Sequence, residues 1–133
     1  ALWVPAANLN DTVGNWALKF EMNIPNAWNG GSLRIQTGFT DSYIALYEPW
    51  KIAETATSAY TTKGWRTVTI PLSRFLSTDA TLGEGRGTPV TSLSNLLGPD
   101  KTGCNVRIKN YAASATSTGF YGGFDNFRVV KIK

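Results

Sequence analysis

Apolar and polar residues alternate with a period of two along most of the chain, which is the pattern of β-strands with one buried face. The clearest stretch runs from residue 16 to residue 24, where every second side chain is large and apolar. Pro25 ends this stretch, because proline cannot donate a hydrogen bond to a neighbouring strand. We therefore predict a core strand with an inward face formed by Trp16, Leu18, Phe20, Met22 and Ile24.

The next two strands carry the residues on which a functional hypothesis can be built. In the first, Leu33 and Ile35 are predicted to face the core, while Arg34 and Gln36 face solvent. The second strand covers residues 43–47 and is followed by a proline. Its apolar alternation predicts that Ile44 and Leu46 point inward, and it leaves three residues on the opposite face: Tyr43, Ala45 and Tyr47.

Three strands are predicted in the second half of the chain. The first opens with Trp65, which we assign to the core, and continues with inward Val68, Ile70 and Leu72. A later strand around residues 106–109 exposes Arg107 and Lys109, and the last covers residues 124–132. A short helical turn is predicted near residues 92–97.

Short strands separated by glycine, proline and asparagine turns, without helical stretches between them, predict an all-β fold. The expected architecture is a two-sheet antiparallel β-sandwich of the jelly-roll type. A length of 133 residues fits one core, so we predict a single domain over residues 1–133.

Composition narrows the classes of function. The net charge is +4, but the 13 Lys and Arg residues are scattered, which argues against nucleic-acid binding. No run of about 18 apolar residues and no signal peptide is recognisable, so we expect no membrane insertion by this segment. The chain starts at Ala1, and we interpret it as a module of a larger protein.

The chain contains no histidine, which excludes the Ser-His and Cys-His nucleophile systems and the usual zinc sites. Its single cysteine, Cys104, is expected to be a buried or half-buried thiol. The nine acidic residues show no paired arrangement of the kind that glycosidases need, so we predict no enzyme activity and no cofactor. Asp125 beside Asn126 fits a hydrogen-bonded turn, and a structural calcium ligand is the alternative.

Sixteen aromatic residues, five of them tryptophan, exceed what one core of this size requires. Sugar rings present flat C–H patches that aromatic faces cover, and their hydroxyls need polar partners at the edge. We therefore predict a polysaccharide site with stacking residues Trp28, Tyr43, Tyr47 and Trp50. The polar partners predicted beside them are Arg34, Gln36, Arg107 and Lys109.

Each stacking residue has a structural alternative. The two tyrosines can instead form cross-strand packing, and Trp50 can instead plug the end of the fold. For the polar residues taken singly, a solvated surface position is the alternative.

Several segments, read together, resemble a known family. They include Tyr47-Glu-Pro-Trp, Gly64-Trp-Arg-Thr-Val-Thr-Ile-Pro-Leu, Ser92-Leu-Ser-Asn-Leu-Leu-Gly and Phe124-Asp-Asn-Phe-Arg-Val-Val. This series is similar to the C-terminal glycan-binding domain of Bacteroidetes surface glycan-binding proteins, of which the xyloglucan-binding member is the best-known type. The similarity covers nearly the whole chain.

The resemblance implies a non-catalytic domain that binds a β-glucan such as xyloglucan or mixed-linkage glucan at the cell surface or outside the cell. It also implies that exposed tryptophan and tyrosine side chains hold the glycan. Two alternatives stay open: a module of a multidomain glycanase, and a structural or adhesion domain that packs its aromatic residues against a neighbour.

Overall fold

The computed structural model describes residues 3–27, 33–40, 42–53, 56–97, 104–110 and 121–133, and for residues 33–40, 57 and 108–110 it describes the backbone alone. The described part is mostly strand, with three short 3-10 turns and one helix, α1 (Ser94–Leu97). The strands are β1 (Trp16–Asn23), β2 (Leu33–Thr40), β3 (Tyr43–Tyr47), β4 (Lys51–Ala53), β5 (Ala56–Thr57), β6 (Arg66–Pro71), β7 (Asn105–Asn110) and β8 (Gly123–Lys131).

The strands form two three-stranded sheets and one small pair. The sheet orders are β6-β1-β8 and β3-β2-β7, and β4 pairs with β5. Every pairing among these strands is antiparallel. The all-β class predicted from the alternating pattern is therefore confirmed. Within the described residues, no helix has the length and apolar character needed to cross a membrane.

Strand β1 supplies the centre of the core, as its pattern predicts. All five predicted inward residues, from Trp16 to Ile24, are buried, whereas Lys19, Glu21 and Asn23 are half-buried. The predicted inward residues Val68, Ile70 and Leu72 are buried as well. Phe20 pairs with Val68 and Leu18 pairs with Ile70, so these two strands present one continuous apolar surface.

A bulge in β8 explains the Phe-Asp-Asn-Phe segment. The register with β1 shifts between Lys19 and Glu21, and Asn126 has a φ of 53°. The extra residue changes the alternation locally, which allows two phenylalanines three positions apart to face the same side. Phe124 and Phe127 both pack on Phe20, with ring centroids 6.1 and 4.9 Å away.

The faces of β3 are the reverse of the prediction. Ala45, predicted to face solvent, is 1% exposed and belongs to the hydrophobic core. Leu46 lies on the other face with Ile44, which is also buried, and residues 76–89 pack there: a Cβ atom at Gly85 would lie 3.2 Å from Leu46 Cγ. Leu76 pairs with Ile44 beside the strand through two backbone hydrogen bonds, of 2.9 and 3.0 Å. Because the chain covers this strand on both faces, apolar residues alternate with apolar residues and the pattern does not identify the inward side.

Candidate functional site

Trp65 is the largest aromatic side chain exposed among the described residues, with 57% of its surface accessible. It lies directly before β6, and the prediction that it belongs to the core is wrong. Two and four positions further on, Thr67 and Thr69 are exposed, whereas the alternate residues Val68 and Ile70 are buried. Trp65 therefore shares the outer face of the β6-β1-β8 sheet with the threonines.

A hydrogen-bonded turn fixes the backbone that carries this indole. The Ile24 N–H donates to Thr62 Oγ1 over 2.8 Å, and the Thr62 N–H donates to the Ile24 carbonyl over 3.1 Å. Lys63 and Gly64 then adopt positive φ angles of 54° and 110°, which redirect the chain into β6. Because Thr62 is buried and bonded on both sides, the segment before Trp65 is attached to the end of β1.

Gly123 provides the space in which the indole lies. Gly123 pairs with Asn23 of β1, and the neighbouring Met22 pairs with Arg66 on the other side. A Cβ atom at position 123 would lie only 3.3 Å from Cη2 of Trp65. The indole therefore reaches from the start of β6 across β1 to β8, and the missing side chain at Gly123 lets it lie close to the sheet.

Tyr121 is a second exposed aromatic residue at this end of the sheet, with 69% of its surface accessible. It precedes Gly123 by two residues, which corresponds to about 6 to 7 Å along an extended chain. We call Trp65, Gly123 and Tyr121 the indole platform. Both rings are exposed, so this end of the sheet offers aromatic surface to a ligand.

A row of hydrogen-bonded polar side chains lies beside the platform on the same sheet. Arg128 donates to both carboxylate oxygens of Glu21, over 2.8 and 3.0 Å, and Thr67 donates to the same carboxylate over 3.1 Å. The hydrogen bonds from Arg128, followed by the one from Thr67, hold the pKa of Glu21 below its usual range against a smaller opposing effect of burial. Glu21 is thus a fixed, ionised acceptor between two donors.

The predicted stacking residue Trp50 is not on the surface. It is 1% exposed, and its indole meets the ring of Tyr60 edge-on, with centroids 6.5 Å apart. Its carbonyl accepts a 2.8 Å hydrogen bond from the Ser58 N–H. The expectation that Trp50 faces solvent is wrong, because the chain folds back from β4 to β5 and on to Tyr60 over it.

Tyr43 and Tyr47 are half-buried and pack against the core. The Tyr47 ring meets Phe20 edge-on at 6.5 Å, on the inner side of β3. Burial raises the pKa of the Tyr47 phenol, and a hydrogen bond with Tyr60 raises it further. The cross-strand packing alternative therefore describes their position, and an open bed around Ala45 does not exist.

The four predicted polar residues are neighbours, but they are not neighbours of the tyrosines. Arg34 pairs with Lys109 and Gln36 pairs with Arg107 across β2 and β7. On the other side, Gln36 pairs with Leu46, whereas Tyr47 pairs with the alternate position 35. The backbone register therefore places Gln36 opposite Leu46 and not opposite a tyrosine. Arg107 is exposed, as expected.

Trp28 lies outside the described residues, one position after Ala27, and its stacking role stays a prediction. The Asp125 carboxylate accepts a 2.7 Å hydrogen bond from the N–H of the next residue, Asn126, within the bulge of β8 and not in a turn. Among the described residues, no group of three or more His, Cys, Asp or Glu side chains is placed to hold a metal ion. Cys104 is half-buried, as predicted.

An all-β domain with exposed aromatic rings on a flat sheet surface, beside fixed polar groups, has the features of a carbohydrate-binding domain. Comparison with known families agrees: residues 2–131 match the family described as the surface glycan-binding protein B xyloglucan binding domain. The chain belongs to this family, which is defined by glycan binding and not by a reaction.

A solved structure is also similar. The crystal structure of surface glycan-binding protein PbSGBP-B from Prevotella bryantii matches with a TM-score of 0.56 and 26% sequence identity. The match covers 91% of this chain but 36% of that one, so this chain spans about a third of the length of its relative. No curated protein sequence matches the chain.

Proposed function

We propose that this domain binds a β-glucan of the xyloglucan or mixed-linkage type, without converting it, by stacking sugar rings on the indole platform. The observation that carries the proposal is the position of Trp65, which is 57% exposed and lies over Gly123 on the outer face of a sheet. Membership of a xyloglucan-binding family supports the class of ligand.

Binding at the platform would satisfy both the apolar C–H face and the hydroxyls of a glucan ring. The C–H face of a ring covers the Trp65 indole, and a neighbouring ring can reach Tyr121, which lies two residues before the Gly123 on which the indole rests. The hydroxyls then meet the polar row of Thr67, Glu21 and Arg128, in which donors and an acceptor alternate. The platform is open, so we expect a Kd of about 1 to 100 μM.

Glu21, the carboxylate of the polar row, is unsuited to glycoside hydrolysis. A glycosidase needs one carboxylic acid that keeps its proton near neutral pH, which requires a raised pKa. Glu21 has its pKa lowered by Arg128 and is bonded on both oxygens. This environment supports a binding role without catalysis.

The proposal also covers the architecture of the domain, its parent protein and its location. The two sheets share one hydrophobic core through Phe20 of β1 and Ala45 of β3, which supports the two-sheet sandwich of the jelly-roll type. The match to about a third of a longer surface protein supports a multidomain parent. The family description supports a location at the cell surface or outside the cell.

Migration of the domain in native gels that contain soluble polysaccharide tests the function directly. We expect retardation by xyloglucan or barley mixed-linkage glucan, less by laminarin or mannan, and no release of reducing ends from any of them. Release of reducing ends would contradict the non-catalytic proposal, and unchanged mobility with all four would contradict glycan binding.

Unchanged mobility would instead favour the structural alternative, in which the platform packs against another domain of the parent. The part of the longer relative that this chain does not cover gives that alternative a specific partner to test. The structural alternative would be established if this domain bound a separately expressed neighbouring domain and the Trp65→Ala variant did not.

A further inference from the structure

A second site lies near the opposite end of β6 from Trp65. A cavity of about 620 Å³ opens between the end of β3 and the end of β6, which are the edge strands of their sheets. This volume is in the range of about 300 to 1,000 Å³ that ligand pockets occupy. Its apolar lining is formed by Leu46, Ile70, Pro71, Leu76 and Pro89.

Positive charges outnumber negative charges among the described residues that line this cavity. Its described lining carries three cations, Lys51, Arg74 and Arg86, and a single carboxylate, Glu48. Glu48 lies 3.8 Å from Lys51, which partly neutralises that lysine. The two arginines are therefore left as an excess of positive charge beside an apolar wall.

Arg86 is built into this position by the backbone on both sides of it. Gly85 has a φ of 69°, and a Cβ atom there would lie 3.0 Å from the Ile44 carbonyl oxygen. At Gly87 a Cβ atom would lie 2.9 Å from the carbonyl oxygen of Ser77, to which the Gly87 N–H donates over 2.8 Å. Two glycines thus allow the backbone to approach the neighbouring segments closely and hold the arginine between them.

The Arg86 guanidinium lacks an internal partner at one of its nitrogens. Its Nε atom is buried and makes no hydrogen bond within the protein. A buried donor without an acceptor is destabilising, and the free-energy cost is larger when the group is charged. The guanidinium also lines the cavity, and its fork matches a carboxylate in two parallel hydrogen bonds.

We propose that this cavity, which we call the arginine groove, binds a sugar residue that carries a carboxylate, that is, a uronic acid within an oligosaccharide. The carboxylate is held by Arg86 and Arg74, and the ring C–H groups lie against the apolar wall. The hydroxyls reach Thr69 and Ser73. The site is separate from the indole platform and takes a charged ligand, whereas the platform takes a neutral one.

Calorimetric titration of the domain with trigalacturonic acid tests the proposal, with the same trisaccharide reduced at its carboxyl groups as the neutral comparison. We expect binding of the acid that weakens at high salt, and at least about 10-fold weaker binding of the reduced form. Equal affinity for both forms would overturn the proposal, and so would the absence of binding by the acid at millimolar concentration.

Inorganic phosphate and sulfate form a separate arm, because the arginines attract any anion. Binding of these ions without binding of the acidic sugar would mean that the groove holds only small anions, and would overturn the proposal. Tighter binding of the acidic trisaccharide than of either ion supports it, since the apolar wall contributes only to the sugar.

Variants locate the site and separate it from the platform. Arg86→Gln is expected to weaken binding of the acid by about 10-fold or more, and Arg86→Lys by less. In the wild type, changes in the amide resonances of Gly85 and Gly87 should report the bound state. Lys133→Gln removes an equal charge at an exposed position and should leave the affinity unchanged. An unaltered affinity in folded Arg86→Gln would overturn the assignment. Trp65→Ala should not alter the affinity for the acid.

Discussion

Trp50 and Trp65 occupy opposite environments that their sequence positions do not suggest. Trp50 follows a proline after a short strand and is 1% exposed, whereas Trp65 opens a core strand and is 57% exposed. Trp50 is covered because the chain turns back over it through β4, β5 and Tyr60. Trp65 is uncovered because it shares its strand face with threonines and lies over a glycine. One indole stabilises the fold, and the other is available to a ligand.

The largest expected effect is the loss of stability in Trp50→Ala. Removal of a fully buried indole leaves a cavity, and we expect a decrease of about 3 to 5 kcal/mol in the free energy of unfolding. Chemical denaturation followed by circular dichroism measures it. Ile52→Ala, which truncates a side chain two positions away that is 68% exposed, is the control and should change stability little. Equal effects in both variants would contradict the assignment of Trp50 to the core.

A smaller effect is expected in Gly123→Ala, which tests the support beneath Trp65. The added Cβ atom would lie 3.3 Å from the indole, so the ring must move by a few tenths of an ångström. We expect a few-fold weaker affinity for xyloglucan oligosaccharides by calorimetry, on the order of 0.5 to 1 kcal/mol. Gly14→Ala, where the new atom meets nothing within 4 Å, is the matched control. Identical affinities in the two variants would show that the ring does not depend on Gly123.

The smallest expected effect concerns pH and the polar row. The pKa of Glu21 is lowered in the folded state from the reference of 4.5, so the unfolded state binds a proton more readily. The stabilisation by Glu21 is present above pH 4.5 and is lost as the pH falls through the folded pKa. We expect the difference in thermal unfolding temperature between the wild type and Glu21→Gln to shrink between pH 6 and pH 3. A difference that is constant over this range would contradict the ion pair with Arg128.

The sequence predicts the strands better than it predicts their faces. In β1, large apolar residues alternate with polar ones, and the buried set from Trp16 to Ile24 follows directly. In β3, both faces are apolar: Ala45 faces the core, and Ile44 and Leu46 are covered by residues 76–89. A pattern of alternation cannot indicate that a distant segment will cover the second face of a strand.

The candidate site was predictable in part. Position 65 opens an apolar strand, which favours a core assignment, but the alternation of Thr67 and Thr69 with Val68 and Ile70 assigns Trp65 to the outer face. Contact between the indole and Gly123 depends on the pairing of β1 with both β6 and β8, which involves residues at least 44 positions apart. The burial of Trp50 likewise follows from tertiary packing that local sequence does not contain.

The affinity of Trp65→Ala for a xyloglucan oligosaccharide, measured by calorimetry together with its unfolding free energy, tests the central assignment most directly. If the exposed indole is the main anchor, binding should weaken by more than about 10-fold while stability stays within about 0.5 kcal/mol of the wild type. Leu82→Ala, at another exposed apolar position, should retain full affinity. Wild-type affinity in a correctly folded Trp65→Ala protein would contradict the account.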